Sequence, residues 1–168
     1  LVIRRQRQMC IRDRGRAQER FEEDPLRKLR ALRFAGRTGG KIEKNTAEAI
    51  ISDNSLEGIS AERIRDEFKK SIETAKSPKK YLELVEEFKL WPVMFPTVYV
   101  NKDFINSKNW LVQLATLFRV NENSQIKSQM NKLTFSNLEI DAIIFLKSLL
   151  DLKPENVFEL SKKKDGVD

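Results

Sequence analysis

A chain of 168 residues has room for one ordinary domain or two small helical ones. Its 32 Lys and Arg outweigh 25 Asp and Glu to give a formal charge of +7, with 40% hydrophobic and 34% charged residues, the balance of a soluble globular chain. The absence of His excludes Ser–His–Asp and Cys–His catalysis and every His-ligated metal, and a single cysteine, Cys10, excludes an internal disulfide and a Cys-rich zinc site. No apolar run reaches the roughly 18 residues of a membrane span. The six glycines form neither a phosphate loop nor a dinucleotide fingerprint. No Asp-x-Asp pair is present to hold two magnesium ions, so no metal site is expected.

The positive charge is unevenly placed. Residues 1–20 hold seven Arg against one Asp and one Glu, a net +5, which leaves +2 for residues 21–168. Residues 1–16 show no helical or strand period, and the run Gln-Met-Cys-Ile-Arg-Asp-Arg at 8–14 resembles translated sequencing-adapter read-through. The expectation is an unstructured, non-native stretch; a phosphate-gripping basic arm or an Arg-rich transit peptide are the alternatives.

From residue 20 onward the period is helical. Pro25 suits a helix first turn, with Glu22, Glu23 and Asp24 at the positive end of the dipole, and that helix is predicted to run to about Arg37 and stop at Gly39-Gly40. Asn45 with Glu48 reads as a capping box for a short helix holding Ile50 and Ile51. Ser60 is expected to cap a third helix with Ile64, Phe68 and Ile72 on one face. Ser77-Pro78 opens a fourth carrying Tyr81, Leu84, Val85 and Phe88, ended by Trp91-Pro92 and Phe95-Pro96. Residues 97–100 read as a short extended piece.

After residue 105, Trp110, Leu111, Leu114, Leu117 and Phe118 form one apolar stripe, and Ile126, Met130 and Leu133 another. Ser136 and Glu139 make a second capping box ahead of 138–150, a nearly all-apolar run expected to be the most buried helix, with Asp141 on its solvated side. Pro154 opens a last short helix with Val157, Phe158 and Leu160, before Lys162-Lys163-Lys164. No fixed repeat occurs, and seven or eight helices joined by short links make an all-α fold with a seam near 92–105. The aromatic and leucine stripes are core.

The richest stretch is 20–34, Arg-Phe-Glu-Glu-Asp-Pro-Leu-Arg-Lys-Leu-Arg-Ala-Leu-Arg-Phe. At 100° per residue Glu23, Arg27, Arg30, Arg33 and Arg37 fall within about 120° of one another. Asp24 stands three residues before Arg27, close enough for the two side chains to be held as a pair. Charge spacing alone also describes a solvated face. Against that, Arg recurs where Lys would serve solubility equally well, and its planar fork matches phosphate oxygens and base edges.

These residues resemble the neck of class II tRNA nucleotidyltransferases, the CCA-adding enzymes, and of the related bacterial poly(A) polymerases. The shared pattern Phe-x-Glu-Asp-x-x-Arg-x-x-Arg-x-x-Arg-Phe is filled by Phe21, Glu23, Asp24, Arg27, Arg30, Arg33 and Phe34. A second signature is similar over Ile59–Glu67, and the Trp91-Pro92 and Phe95-Pro96 pairs resemble the family's run toward Phe-Pro. The resemblance covers about 20–96; Lys28 stands where the family has an aliphatic residue and Gly40 where an aromatic one precedes Lys-Ile, which loosens the packing expected around the helix.

The resemblance implies a fragment: a neck over 17–96 and a partial helical body over 97–168, without the α/β catalytic head. The parent would add CMP and AMP from CTP and ATP to a tRNA 3′ end by two-metal phosphoryl transfer, with Mg2+ bound by the missing head, in the cytoplasm; this segment alone would be inactive. Asp24 and Arg27 would read the base edge, with Glu23 holding Arg27. A carboxylate accepts from the exocyclic amino group of adenine or cytosine while a guanidinium donates to the ring nitrogen. Uracil and guanine present a carbonyl there, a mismatch on the order of 10²–10⁴ in discrimination. Arg30 and Arg33 would reach phosphate or RNA backbone, or one would be a neck ion pair. Ser60, Glu62, Arg63 and Glu67 would support the neck, Ser60 as a cap and Arg63 with Glu67 four residues apart. The alternatives are a poly(A) polymerase fragment and a stand-alone helical RNA-binding or scaffold module.

Overall fold

The computed structural model describes residues 10–11 and 17–150. The predicted helix after Pro154, the lysine run and the rest of residues 1–16 lie outside the described residues. The elements are β1 (Cys10–Ile11), α1 (Ala17–Glu23), α2 (Leu26–Thr38), β2 (Lys41–Ile42), α3 (Lys44–Ser52), α4 (Ala61–Thr74), α5 (Pro78–Glu87), α6 (Trp91–Met94), α7 (Trp110–Leu117), α8 (Asn123–Lys132) and α9 (Asn137–Leu150). The fold is all-α apart from one two-residue parallel ladder, Cys10 and Ile11 against Lys41 and Ile42. Two residues of the stretch expected to lack structure therefore pair with the turn after α2.

α1 and α2 are one helical run broken at Asp24-Pro25. The Asp24 amide still donates to the Arg20 carbonyl (3.2 Å), but Pro25 has no N–H and disfavours helix in the residue before it. α2 then stops where Gly39 takes a left-handed φ of 72° and donates to the Ala35 carbonyl (2.8 Å). Gly36 in α2 lets α5 approach closely: a Cβ there would lie 3.2 Å from Tyr81 Cβ.

Several caps differ from expectation. α3 is capped by Glu43, whose carboxylate accepts from the Thr46 amide (3.1 Å), two residues before the predicted Asn45. Ser60 occupies the cap position of α4 without a side-chain cap hydrogen bond. The Ser136–Glu139 box forms as predicted, each backbone amide donating to the other's side chain (2.8 and 3.3 Å). α5 ends in a Schellman motif, Lys89 donating to Glu86 and Leu90 to Val85, with non-glycine Lys89 at φ 53°. The same geometry ends α8, with Thr134 at φ 58°.

One apolar core runs through the predicted seam. Phe95 packs edge-on to Phe68 (5.5 Å) and to Phe118 (5.1 Å), joining α4 to α7. Lys69 of α4 lies over the Trp110 ring (4.1 Å) and pairs with Glu139 of α9. Residues 97–109 form no strand. Instead three buried amide side chains hold their backbone: Gln129 accepts from the Thr97 amide, Asn121 exchanges two bonds with Tyr99, and Gln113 donates to the Ile105 and Ser107 carbonyls.

α9 is not the most buried helix. Ile140 and Ile143 face α7 and α8, whereas Leu138 is 83% and Phe145 62% exposed. A helix apolar on all sides is buried only where neighbours stand on all sides, and among the described residues α9 is flanked on one. The packing around Lys28 also departs from expectation. Its side chain is fully buried, and its ammonium donates to Asp53 (2.8 Å) and to the Ser55 carbonyl (2.9 Å), tying α2 to the α3–α4 loop.

Two predictions test this framework. Lys89→Gly relieves a left-handed backbone and is expected to stabilise by about 1 kcal/mol, read as a higher urea midpoint at unchanged slope. The Lys28 hydrogen bond, and then the Ser55 amide, hold the Asp53 carboxyl below its ordinary 3.8. Its stabilisation is complete above that value and lost as pH falls through the lowered one. Asp53→Asn is expected to cost about 1 kcal/mol at neutral pH, the outer side of the carboxylate being in water, and to flatten the acid limb of the stability curve below pH 4.

Candidate functional site

The break between α1 and α2 sets three side chains at one corner. Glu23 ends α1, Asp24 sits in the bend and Arg27 lies in the first turn of α2. Glu23 Oε2 accepts from Arg20 Nη1 and Arg27 Nη1, each at 3.3 Å. Arg27 Nη1 also lies 3.5 Å from the Arg20 carbonyl.

Asp24 is held differently. Its Oδ1 accepts from the Leu26 amide (3.3 Å), the first free N–H of α2. Arg63 Nη2, from α4, donates to both carboxylate oxygens (3.2 and 3.3 Å), and Arg30 Nη1 stands 3.6 Å away. The side chains of Asp24, Arg27, Arg30 and Arg63 remain between 22% and 47% exposed.

Behind this corner the charge row continues inward. Arg30 Nε lies 3.9 Å from Glu67 Oε2, and Arg33 Nε donates to Glu67 Oε1, both members of that pair being buried. Arg63, Asp24, Arg30, Glu67 and Arg33 thus alternate in sign across α2 and α4.

The structure brings Asp24, Arg27, Arg30, Arg63 and Glu67 into one neighbourhood, with two differences from expectation and one open alternative decided. Asp24 and Arg27 are not an ion pair, because the bend turns Asp24 toward α4; Glu23, one turn back, pairs with Arg27 as expected. Of the two readings left open for Arg30 and Arg33, the ion pair is the one Arg33 takes, its guanidinium buried on Glu67, while Arg30 keeps a partly exposed side chain. Arg63 and Glu67 each reach across to α2 instead of to one another. Glu62 lies exposed in the first turn of α4. Spacing along the chain carried no signal for the Arg63–Asp24 contact, which joins positions 39 residues apart. Among the described residues no group of three or more His, Cys, Asp or Glu stands together in a way that would hold a metal ion, and no helix is long and apolar enough to cross a membrane.

Comparison with known proteins identifies the family. Residues 40–100 match the family described as the probable RNA and SrmB-binding site of polymerase A. The chain is 34% identical over 139 residues to the CCA-adding enzyme of Staphylococcus haemolyticus, covering 77% of this chain and 34% of that protein. It is 40% identical over 80 residues to the CCA-adding enzyme of Bacillus velezensis, covering 47% of this chain and 20% of that protein. The crystal structure of the Bacillus stearothermophilus CCA-adding enzyme in complex with CTP is similar at a TM-score of 0.66 and 25% identity, over 89% of this chain and 40% of that one. The chain therefore spans between 20% and 34% of the length of these two CCA-adding enzymes. Sequence motif, helical arrangement and relatives agree: the chain belongs to the CCA-adding enzyme and poly(A) polymerase family, of which it carries a helical neck and body portion.

Proposed function

We propose that this chain is the base-selecting neck and part of the body of a CCA-adding nucleotidyltransferase, one that extends a tRNA 3′ end with CMP and AMP drawn from CTP and ATP. The observation that carries this reading is the unused hydrogen-bond capacity of Asp24 and Arg27. A carboxylate has about four acceptor directions. Among the described residues three are filled by hydrogen bonds, from the Leu26 amide and twice from Arg63, and the Arg30 guanidinium stands 3.6 Å from Oδ2, beyond hydrogen-bond reach, which leaves one direction on Oδ2 of a side chain that is still 22% exposed. Among the described residues Arg27 uses only Nη1, on Glu23 and the Arg20 carbonyl, so its Nε and Nη2 hydrogens have no partner there.

One spare acceptor beside spare donors is the complement of an amino group beside a ring nitrogen, the pairing edge shared by adenine and cytosine. Uracil or guanine would set a carbonyl oxygen against Asp24 and leave the carboxylate unpaired and repelled. The fixed partners matter because they cost nothing at the moment of binding: Arg63 and Glu23 already hold the two readers in place. Arg30, exposed and between two carboxylates, is the guanidinium of this row suited to a phosphate.

The family implies Mg2+ for the transfer step. The described residues do not fit it, and their part is to bind and orient the base. The naming of the relatives as CCA-adding enzymes favours that activity over poly(A) synthesis, and a cytoplasmic setting accompanies it. In the longer enzyme carrying this segment, Arg27→Ala is expected to remove CTP-over-UTP selectivity by a factor on the order of 10²–10⁴ and most activity with it. Unchanged selectivity in incorporation assays would reject the base-reading role, and failure of the parent enzyme to incorporate CMP would move the assignment to poly(A) synthesis.

A further inference from the structure

A second candidate site lies away from the Asp24 corner, where the chain leaves α5 and passes through α6. A groove of about 350 Å3 opens there. Its floor is Trp91 and Phe95, both buried; Pro92, Pro96 and Tyr99 form its exposed rim, with Tyr99 65% exposed. Lys89 and Lys102 also line it.

We propose that this groove is a stacking slot for one base of single-stranded RNA, with Tyr99 as the stacking face and the two lysines on the flanking phosphates. The proposal rests on the reading of RNA as a partner and gives that partner a place.

Three observations support it. The first is that the exposed ring stands on a fixed backbone. Asn121 accepts from the Tyr99 amide (2.8 Å) and donates to its carbonyl (2.7 Å), while Gln129 holds Thr97 two residues before. An aromatic face presented this way is already ordered before a base arrives, and stacking is indifferent to base identity because every base has a π-face.

The second is charge. The Lys89 ammonium makes no ion pair among the described residues, and Lys89 is exposed two residues past the end of α5. Lys102 pairs with Glu86 at 2.6 Å, but both side chains are exposed, and a surface pair of this kind is readily given up to a phosphate. Glu86 lines the groove as well, and an apolar slot with two lysines and one carboxylate at its edge fits an uncharged base between two anionic linkages better than it fits an anionic ligand in the slot itself. The third is that the segment matched to the RNA and SrmB-binding family, 40–100, contains every groove residue used here except Lys102.

The test is a fluorescence-anisotropy titration of the 168-residue chain with labelled single-stranded oligoadenylate. Tyr99→Ala is expected to weaken binding roughly 10- to 100-fold, and Tyr99→Phe to leave it near the parent value, since the ring and not the hydroxyl makes the stack. Lys89→Ala is expected to lower the slope of log affinity against log salt by about 0.7, the share of one phosphate. An unchanged thermal midpoint in Tyr99→Ala separates lost stacking from lost structure. Tyr99→Ala within twofold of the parent, Tyr99→Phe as damaging as alanine, or no oligoadenylate binding by the parent chain would each overturn the slot. So would loss confined to the binding of a proline-rich peptide, which would make the groove a protein-docking surface. Arg27→Ala is read by nucleotide selectivity and Tyr99→Ala by oligoadenylate affinity, so each reading fails on its own measurement.

Discussion

Between α2 and α4 lies an ion pair with almost no access to water, Arg33 on Glu67. Removing two charges from solvent is unfavourable unless geometry and further hydrogen bonds compensate, and a shifted register between the helices would strand both charges. Arg30 supplies a second cation to Glu67, and the packing around the pair is tight enough to bury the whole Tyr81 side chain, burial raising its hydroxyl pKa. With that register set, Arg63 stands one helical turn before Glu67 on the side of α4 that faces Asp24. The orientation of the Asp24 carboxylate thus follows from a contact nine residues further along α2, made by Arg33 on Glu67.

The same reasoning separates Arg27 from its neighbours. Four arginines recur at helical spacing on α2, yet depth assigns the first three different work. Arg33 is inside the fold and structural, Arg30 bridges the buried and exposed carboxylates, and Arg27 remains at the corner with donors to spare. A stripe that looks uniform on a helical wheel becomes a gradient from core to solvent once α4 lies across its far end.

The second half of the chain solves a different problem. It must carry an irregular connection, residues 97–109, across a core that is otherwise helical. Backbone groups there have no ladder to join, and the buried amides of Gln113, Asn121 and Gln129 take that place. Lys69 over Trp110 and Arg65 on Thr134 bind α4 to the later helices, so the corner near Asp24 and the groove near Tyr99 belong to one continuous body.

Much of this was readable along the chain wherever the physics is local. The break at Pro25, the stop at Gly39, the i, i+4 stripe of Ile64, Phe68 and Ile72, the Ser136–Glu139 box and the charged pattern from Phe21 to Phe34 all depend on residues within a turn or two of each other. Tertiary structure alone decided the rest. Lys28 is buried on a partner 25 positions away, Arg63 meets Asp24 across 39, and α9 is apolar on sides that no described neighbour covers. Which helix lies against which, and how deep each charge then sits, is set by long-range packing, and a one-dimensional period is silent about the third direction.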